Sequence, residues 1–310
     1  MTGFEGMLCS AAAAVDVPLP GTATRVTGWL CVEQPGAWGR DVIGDEVLGQ
    51  EITAELAVRT AAAKVRPTLI RRPGRNEFTG VRTVFIANSR PQGFWCERFE
   101  ITDLKQLLDL DLNLLNGPPP GIGAPVRDPL ILVCAHGKRD QCCALFGRPI
   151  AANLAADYPD RAWECSHTGG HRFAPAMVLL PAGLTYGRVD TAAAVAAVEA
   201  VQRGAVSLAG LRGRSGHHPV EQVAEIAVRE QVSAGLDELD VRRETDSTAT
   251  NSDLAVVTHR DGRRWRVRTR TVELPPRQAS CGAAPKPVTA IVADQIQSLT
   301  TGEWPRLVLG

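Results

Sequence analysis

The chain has 310 residues, 44% of them hydrophobic, enough for a sizeable core and for two or three domains. Its 34 basic and 34 acidic residues cancel to zero net charge. That argues against an obligate nucleic-acid binder, which needs a basic face to displace counterions from phosphates. No segment approaches the run of roughly 18 apolar residues that a spanning helix requires, and residues 1–15 lack the basic flank of a secretory signal. The expectation is a soluble, cytoplasmic protein.

Three regions follow in chain order. The first, residues 1–125, opens with a short apolar strand at 28–32, then a loop at 33–40 and a helical stretch to about residue 63. A strand at 68–70, the arginine-rich loop 71–75 and a strand at 83–87 follow. The Pro/Gly-rich segment 116–125 closes the region. The second, residues 126–215, has a strand at 130–134, a polar loop, a helix over 144–157, an extended segment at 162–165, a strand at 176–181 and a helix over 191–202. The order strand, loop, helix, strand, loop, strand thus recurs about 100 residues apart, as a duplicated α/β unit would. The third region, residues 216–310, has an amphipathic helix at 220–231 and a hairpin of 254–258 with 265–272 around Asp261-Gly262. It reads as a small α+β module without evident chemistry.

The chemistry concentrates in the second region. Residues 134–143 read Cys-Ala-His-Gly-Lys-Arg-Asp-Gln-Cys-Cys, and residues 163–172 read Trp-Glu-Cys-Ser-His-Thr-Gly-Gly-His-Arg. Two thiols and two imidazoles in neighbouring segments can make a four-ligand metal site. Gly169 and Gly170 would each cost about 1 kcal/mol in a helix, so His167 and His171 are placed on a loop that bends around an inorganic group. Eight residues separate Cys134 from Cys143, and three separate the histidines. That spacing suits two loops at one end of a sheet gripping a 2Fe–2S rhomb, in which imidazoles can replace two thiolates. Zinc is the alternative, although structural zinc sites pair cysteines more closely. A thiol-dependent redox enzyme using Cys142 or Cys143 is another, but the vicinal pair departs from Cys-x-x-Cys.

Other residues have plainer readings. His136 shapes its loop, and Cys165 is a buried strand thiol. Arg139 and Asp140 read as an ion pair, either on the surface or fixing the first loop. His217 and His218 are expected in solvent. Cys9, Cys31, Cys96 and Cys281 have no companions at ligand spacing. Arg71, Arg72 and Arg75 form a solvated loop or a dock for an acidic partner. No Gly-x-Gly-x-x-Gly loop follows a strand, so no nicotinamide or flavin site is expected.

Cys-x-His-Gly-x-Arg-Asp-x-Cys-Cys at 134–143, Trp-Glu-Cys-Ser-His-x-Gly-Gly-His-Arg-Phe at 163–173 and Leu-Pro-x-Gly-x-x-Tyr-Gly-Arg at 180–188 resemble the sucraseferredoxin-like family. Trp29-Leu-Cys-Val-Glu33, Pro35-Gly-x-Trp-Gly39 and Leu69-Ile-Arg-Arg-Pro-Gly-Arg75 fit its N-terminal half. The resemblance covers most of residues 20–230. It implies tandem thioredoxin-like α/β units, the first degenerate and the second carrying the cluster, ahead of the small α+β module. It also implies an electron carrier whose 2Fe–2S cluster is held by Cys134, Cys143, His167 and His171. Cys142 stands beside Cys143 as a rival ligand. An external reductase and an external acceptor would be the partners. Sucrase activity is not expected, because no pair of carboxylates stands out as acid and nucleophile.

Overall fold

A computed structural model of the chain describes residues 4, 6–74, 77–244 and 252–299. It is a mixed α/β structure with one ten-stranded sheet and a second sheet of four strands. In chain order come α1 (Cys9–Ala14), β1 (Gly28–Glu33), α2 (Gln50–Ala63), β2 (Val65–Arg71), β3 (Arg82–Asn88), β4 (Trp95–Ile101) and β5 (Ala124–Pro125). Then follow β6 (Leu130–Cys134), α3 (Gln141–Asp157), β7 (Ala162–Cys165), β8 (Ala176–Leu180), β9 (Leu184–Gly187), α4 (Thr191–Gln202) and β10 (Leu211–Arg214). The last part holds α5 (Pro219–Arg229), β11 (Leu239–Glu244), β12 (Ser252–His259), β13 (Arg264–Gln278) and β14 (Pro285–Ser298). Among the described residues, no helix is long and apolar enough to cross a membrane.

The large sheet runs β10-β9-β8-β6-β7-β2-β1-β3-β4-β5. Its halves repeat one topology. In each, a strand is followed by a crossover helix and a parallel neighbour (β1 with β2, β6 with β7), and an antiparallel pair then extends the other side (β3 and β4, β8 and β9). The halves meet edge to edge, β2 against β7, with Ile70 opposite Cys165 and Arg71 opposite Glu164. The recurring order read from the sequence is therefore present as strand connectivity.

Alternation along the strands sets the two faces. Ile131 and Val133 point to the side covered by α3 and α4, where they pack with Ile150, Leu154, Ala197 and Val198. Leu130, Leu132 and Cys134 point the other way and join Trp29, Cys31, Phe85, Trp163 and Cys165 in a core shared by both halves. In the first half, Leu30, Val32 and Val84 bury under Leu56 of α2 and Leu107 of a 3-10 turn. The four-stranded sheet packs on α5 through Val220, Ala224 and Val228 against Val241, Ala255, Val257 and Trp265.

The Asp261-Gly262 hairpin forms as expected, but β13 is longer than its sequence signal and pairs with the further strand β14. That long hairpin reaches back to α1. Arg277 is fully buried there, donating to Asp16 Oδ2 (3.0 Å) and to the Ala12 carbonyl (3.0 Å). Two expectations are corrected. His217 is buried (2% exposed), with Nδ1 3.3 Å from Glu225 Oε2, and that carboxylate also takes Arg214 and Arg229 at 3.0 Å each. His218 is the N-cap of α5. Arg71 and Arg72 are likewise engaged internally, Arg71 with Glu164 (2.8 Å) and Arg72 over the Trp163 ring (3.8 Å). Arg75 lies outside the described residues.

Candidate metal centre

Cys134, Cys143 and His167 come together at the C-terminal ends of β6 and β7, where α/β sheets commonly hold their ligands, with His171 beside them but outside that group of donors. Cys134 is the last residue of β6, and its sheet neighbour across the parallel pair is Cys165. The chain then turns through residues 135–140 into α3, which begins three residues earlier than its apolar pattern indicates. Asp140 explains the early start, because it caps the helix by accepting the Cys142 N–H at 2.9 Å. Cys143 thereby sits in the first turn of α3, facing Cys134. His167 follows β7 after Ser166, and His171 opens a 3-10 turn at His171–Phe173.

His167 Nδ1 is 3.8 Å from Cys134 Sγ and 4.0 Å from Cys143 Sγ, and the three donor atoms lie within 4.8 Å of one another. The His171 ring stacks on His167, centroids 4.9 Å apart and planes tilted by 33°. Its Nε2 is 4.0 Å from Asp140 Oδ2, while its Nδ1 is buried without a hydrogen-bond partner. Cys142 points elsewhere, with its sulfur 3.6 Å from Cys9 and 3.3 Å from Cys281. The vicinal thiols thus belong to different clusters.

The electrostatics favour ligation. A hydrogen bond from Cys143 holds the Cys134 thiol well below its ordinary range, with His167 and the Thr168 N–H adding to it against burial. Cys143 is pushed up, chiefly because it keeps the proton it shares with Cys134. Burial, then the neighbouring His167, pushes His171 down, so its imidazole is neutral and free to coordinate. At Asp140, burial opposes ionisation. The N–H groups of Cys281 and Cys142 outweigh it and hold the carboxyl below its usual range.

Several residues fix the histidine loop without being donors. His136 Nδ1 accepts the His167 N–H at 3.2 Å, so its Nε2 carries the proton and donates to the Gly39 carbonyl at 2.5 Å. Both ring nitrogens are thus used, which leaves none for a metal. Arg66 donates to the His167 carbonyl at 2.6 Å. Arg212, 1% exposed, donates to the Gly169 carbonyl (3.2 Å) and to Thr22 Oγ1 (3.0 Å), and lies over the Phe173 ring. Burial pushes this guanidinium down to about 9, so it is still charged at neutral pH.

Gly169 (φ +102°) and Gly170 (φ +75°) occupy positive-φ backbone. A Cβ at Gly169 would lie 1.9 Å from Thr24 Oγ1, and one at Gly170 2.6 Å from Arg212 Nη2. The room these glycines leave is filled by protein, so they seat the loop against its neighbours.

Sequence reasoning missed Arg66 and Arg212, whose roles have no local signature. It also paired Asp140 with Arg139, whereas the Asp140 side chain faces His171, Cys9 and Cys281. Cys165 is a fully buried strand thiol, as expected.

No curated protein and no solved structure matches the chain. A family model described as sucrase/ferredoxin-like matches residues 19–213, which include every residue of this centre, and the chain belongs to that family.

Proposed function

We propose that the protein is a one-electron carrier with a 2Fe–2S cluster, held by Cys134 and Cys143 on one iron and by His167 and His171 on the other. The units would be thioredoxin-like, the first (1–125) degenerate and the second (126–215) cluster-bearing. The observation that carries this reading is the buried, unpartnered His171 Nδ1, stacked beside an imidazole that already approaches two thiols. A buried polar atom without a partner costs roughly 1–3 kcal/mol, and a metal would satisfy it. The donor chemistry fits as well, since two thiolates and two imidazoles are an accepted ligand set for this cluster.

When bound, the cluster would supply a reversible one-electron couple. Two neutral imidazoles in place of thiolates make the ligand set less negative, which raises the affinity for an electron relative to four cysteines. His136, Arg66 and Arg212 hold the histidine loop by its backbone, so the donors need little rearrangement. Electrons would come from an external reductase and leave to an external acceptor. All eight cysteines are free thiols, which suits a reducing compartment such as the cytoplasm.

One observation favours zinc as a second reading: Cys134, Cys143 and His167 are compact enough to share a single ion. A thiol enzyme has less support, because burial pushes Cys142 up and the shared proton pushes Cys143 up. Anaerobic purification separates the readings. The carrier should be coloured, bleach on reduction and contain about two irons and two acid-labile sulfides per chain. Cys143→Ser should remove that iron and Cys142→Ser should leave it. Colourless protein without sulfide, with zinc lost in Cys143→Ser, would replace the cluster by zinc.

A further inference from the structure

We propose a second, separate metal site in which Cys9, Cys142, Cys281 and Asp140 bind one zinc ion. These residues come from α1, the start of α3 and the turn joining β13 to β14, and two of them lie outside the stretch that matches the family. Their four donor atoms all lie within 4.8 Å of one another. Cys142 Sγ is 3.6 Å from Cys9 Sγ and 3.3 Å from Cys281 Sγ, and Cys9 Sγ is 3.7 Å from both Asp140 oxygens.

Those spacings match one tetrahedral ion. Zinc–sulfur bonds of about 2.3 Å place sulfurs roughly 3.8 Å apart at the tetrahedral angle, and a zinc–oxygen bond of about 2.1 Å places oxygen roughly 3.6 Å from sulfur. A disulfide needs sulfurs about 2.05 Å apart, well inside the 3.3 Å between Cys142 and Cys281.

The surroundings are those of metal-bound thiolates. The Cys9 N–H donates to Cys281 Sγ at 3.4 Å, and the Ser10 hydroxyl donates to Cys142 Sγ at 3.3 Å. Asp140 Oδ1 accepts the Cys142 N–H (2.9 Å) and Oδ2 the Cys281 N–H (2.8 Å), which orients the carboxylate and leaves each oxygen a lone pair. Cys9, Asp140 and Cys142 are buried and Cys281 is partly exposed, so an ion has a way in from the hairpin tip. Binding would release the thiol protons to solvent.

The proposal does not depend on what the first centre binds, and its test keeps the two apart. Protein purified under reducing conditions should hold about one zinc per chain at this site after dialysis against a weak chelator. Cys281→Ser, a change at the partly exposed turn, should weaken zinc retention at least about tenfold. Cys134→Ser, which disables only the first centre, should leave this zinc in place. Cobalt reconstitution should give thiolate-to-cobalt charge transfer and tetrahedral d–d bands in Cys134→Ser, and lose them in Cys134→Ser combined with Cys9→Ser. Zinc retention unchanged in Cys281→Ser, cobalt bands that follow Cys134 alone, or a Cys142–Cys281 disulfide in freshly isolated, metal-free protein would each overturn the proposal.

Discussion

Replacing Gly169 by alanine tests how tightly the histidine loop is seated. The new Cβ would stand 1.9 Å from Thr24 Oγ1 and 2.9 Å from Thr24 Cβ. Rotation of Thr24 can carry the hydroxyl away, but its Cβ is fixed to the backbone and the second contact remains. Positive φ costs a non-glycine residue about 1–2 kcal/mol, and overpacking a filled site adds about 1–3 kcal/mol. Gly169→Ala should therefore lose roughly 2–5 kcal/mol of unfolding free energy. Gly204 supplies the control, since it also has positive φ (+70°) but is exposed, with no heavy atom within 4 Å of the added carbon. Gly204→Ala should show only the backbone cost of about 1–2 kcal/mol. Urea unfolding of both variants measures the difference, and Thr24→Gly in the Gly169→Ala background should recover only the part due to crowding. Equal losses in the two alanine variants would refute the packing argument.

Glu225→Gln should destabilise by about 3–5 kcal/mol, since it strands Arg214 and Arg229 in the interior; denaturant midpoints check it. Burial opposes ionisation of Glu225, but Arg214, His217 and Arg229 hold its carboxyl well below the ordinary 4.5. Its contribution is therefore fully present above pH 4.5 and lost as pH falls through the depressed value, so acid unfolding of Glu225→Gln should be shallower than that of the natural chain. Arg212→Met removes the donors that hold Thr22 and the Gly169 carbonyl. We expect a loss of about 3 kcal/mol or more and faster iron release to a chelator, read by absorbance. Replacing both His167 and His171 with cysteine should retain a cluster at lower potential by redox titration, and an unchanged midpoint would count against histidine ligation.

Features written in local chemistry were legible in the sequence. The runs at β6 and β7 and the helix α4 fall where periodicity places them, as do the two segments that bring Cys134, Cys143 and His167 together. Features depending on distant partners were not. β10 carries Arg212 and Arg214, whose partners Gly169 and Glu225 come from other elements and leave no local signal. β14 has apolar residues on both parities around Val288, Ala290 and Ile291, which blurs the period-2 signal. Cys9 and Cys281 are 272 positions apart, so no spacing rule could pair them, and they prove to be neighbours through Cys142. Asp140 was visible, but its inward orientation follows from its capping of α3.

The seam between β2 and β7 has a consequence for any attempt to cut the molecule in two. Each half conceals a row of amide and carbonyl groups that the other would otherwise leave bare. A fragment beginning near residue 126 would present β7 as a ready template for a second molecule. Such a piece should accumulate as self-paired dimers or aggregates, and co-expression with its missing counterpart should restore a one-to-one assembly.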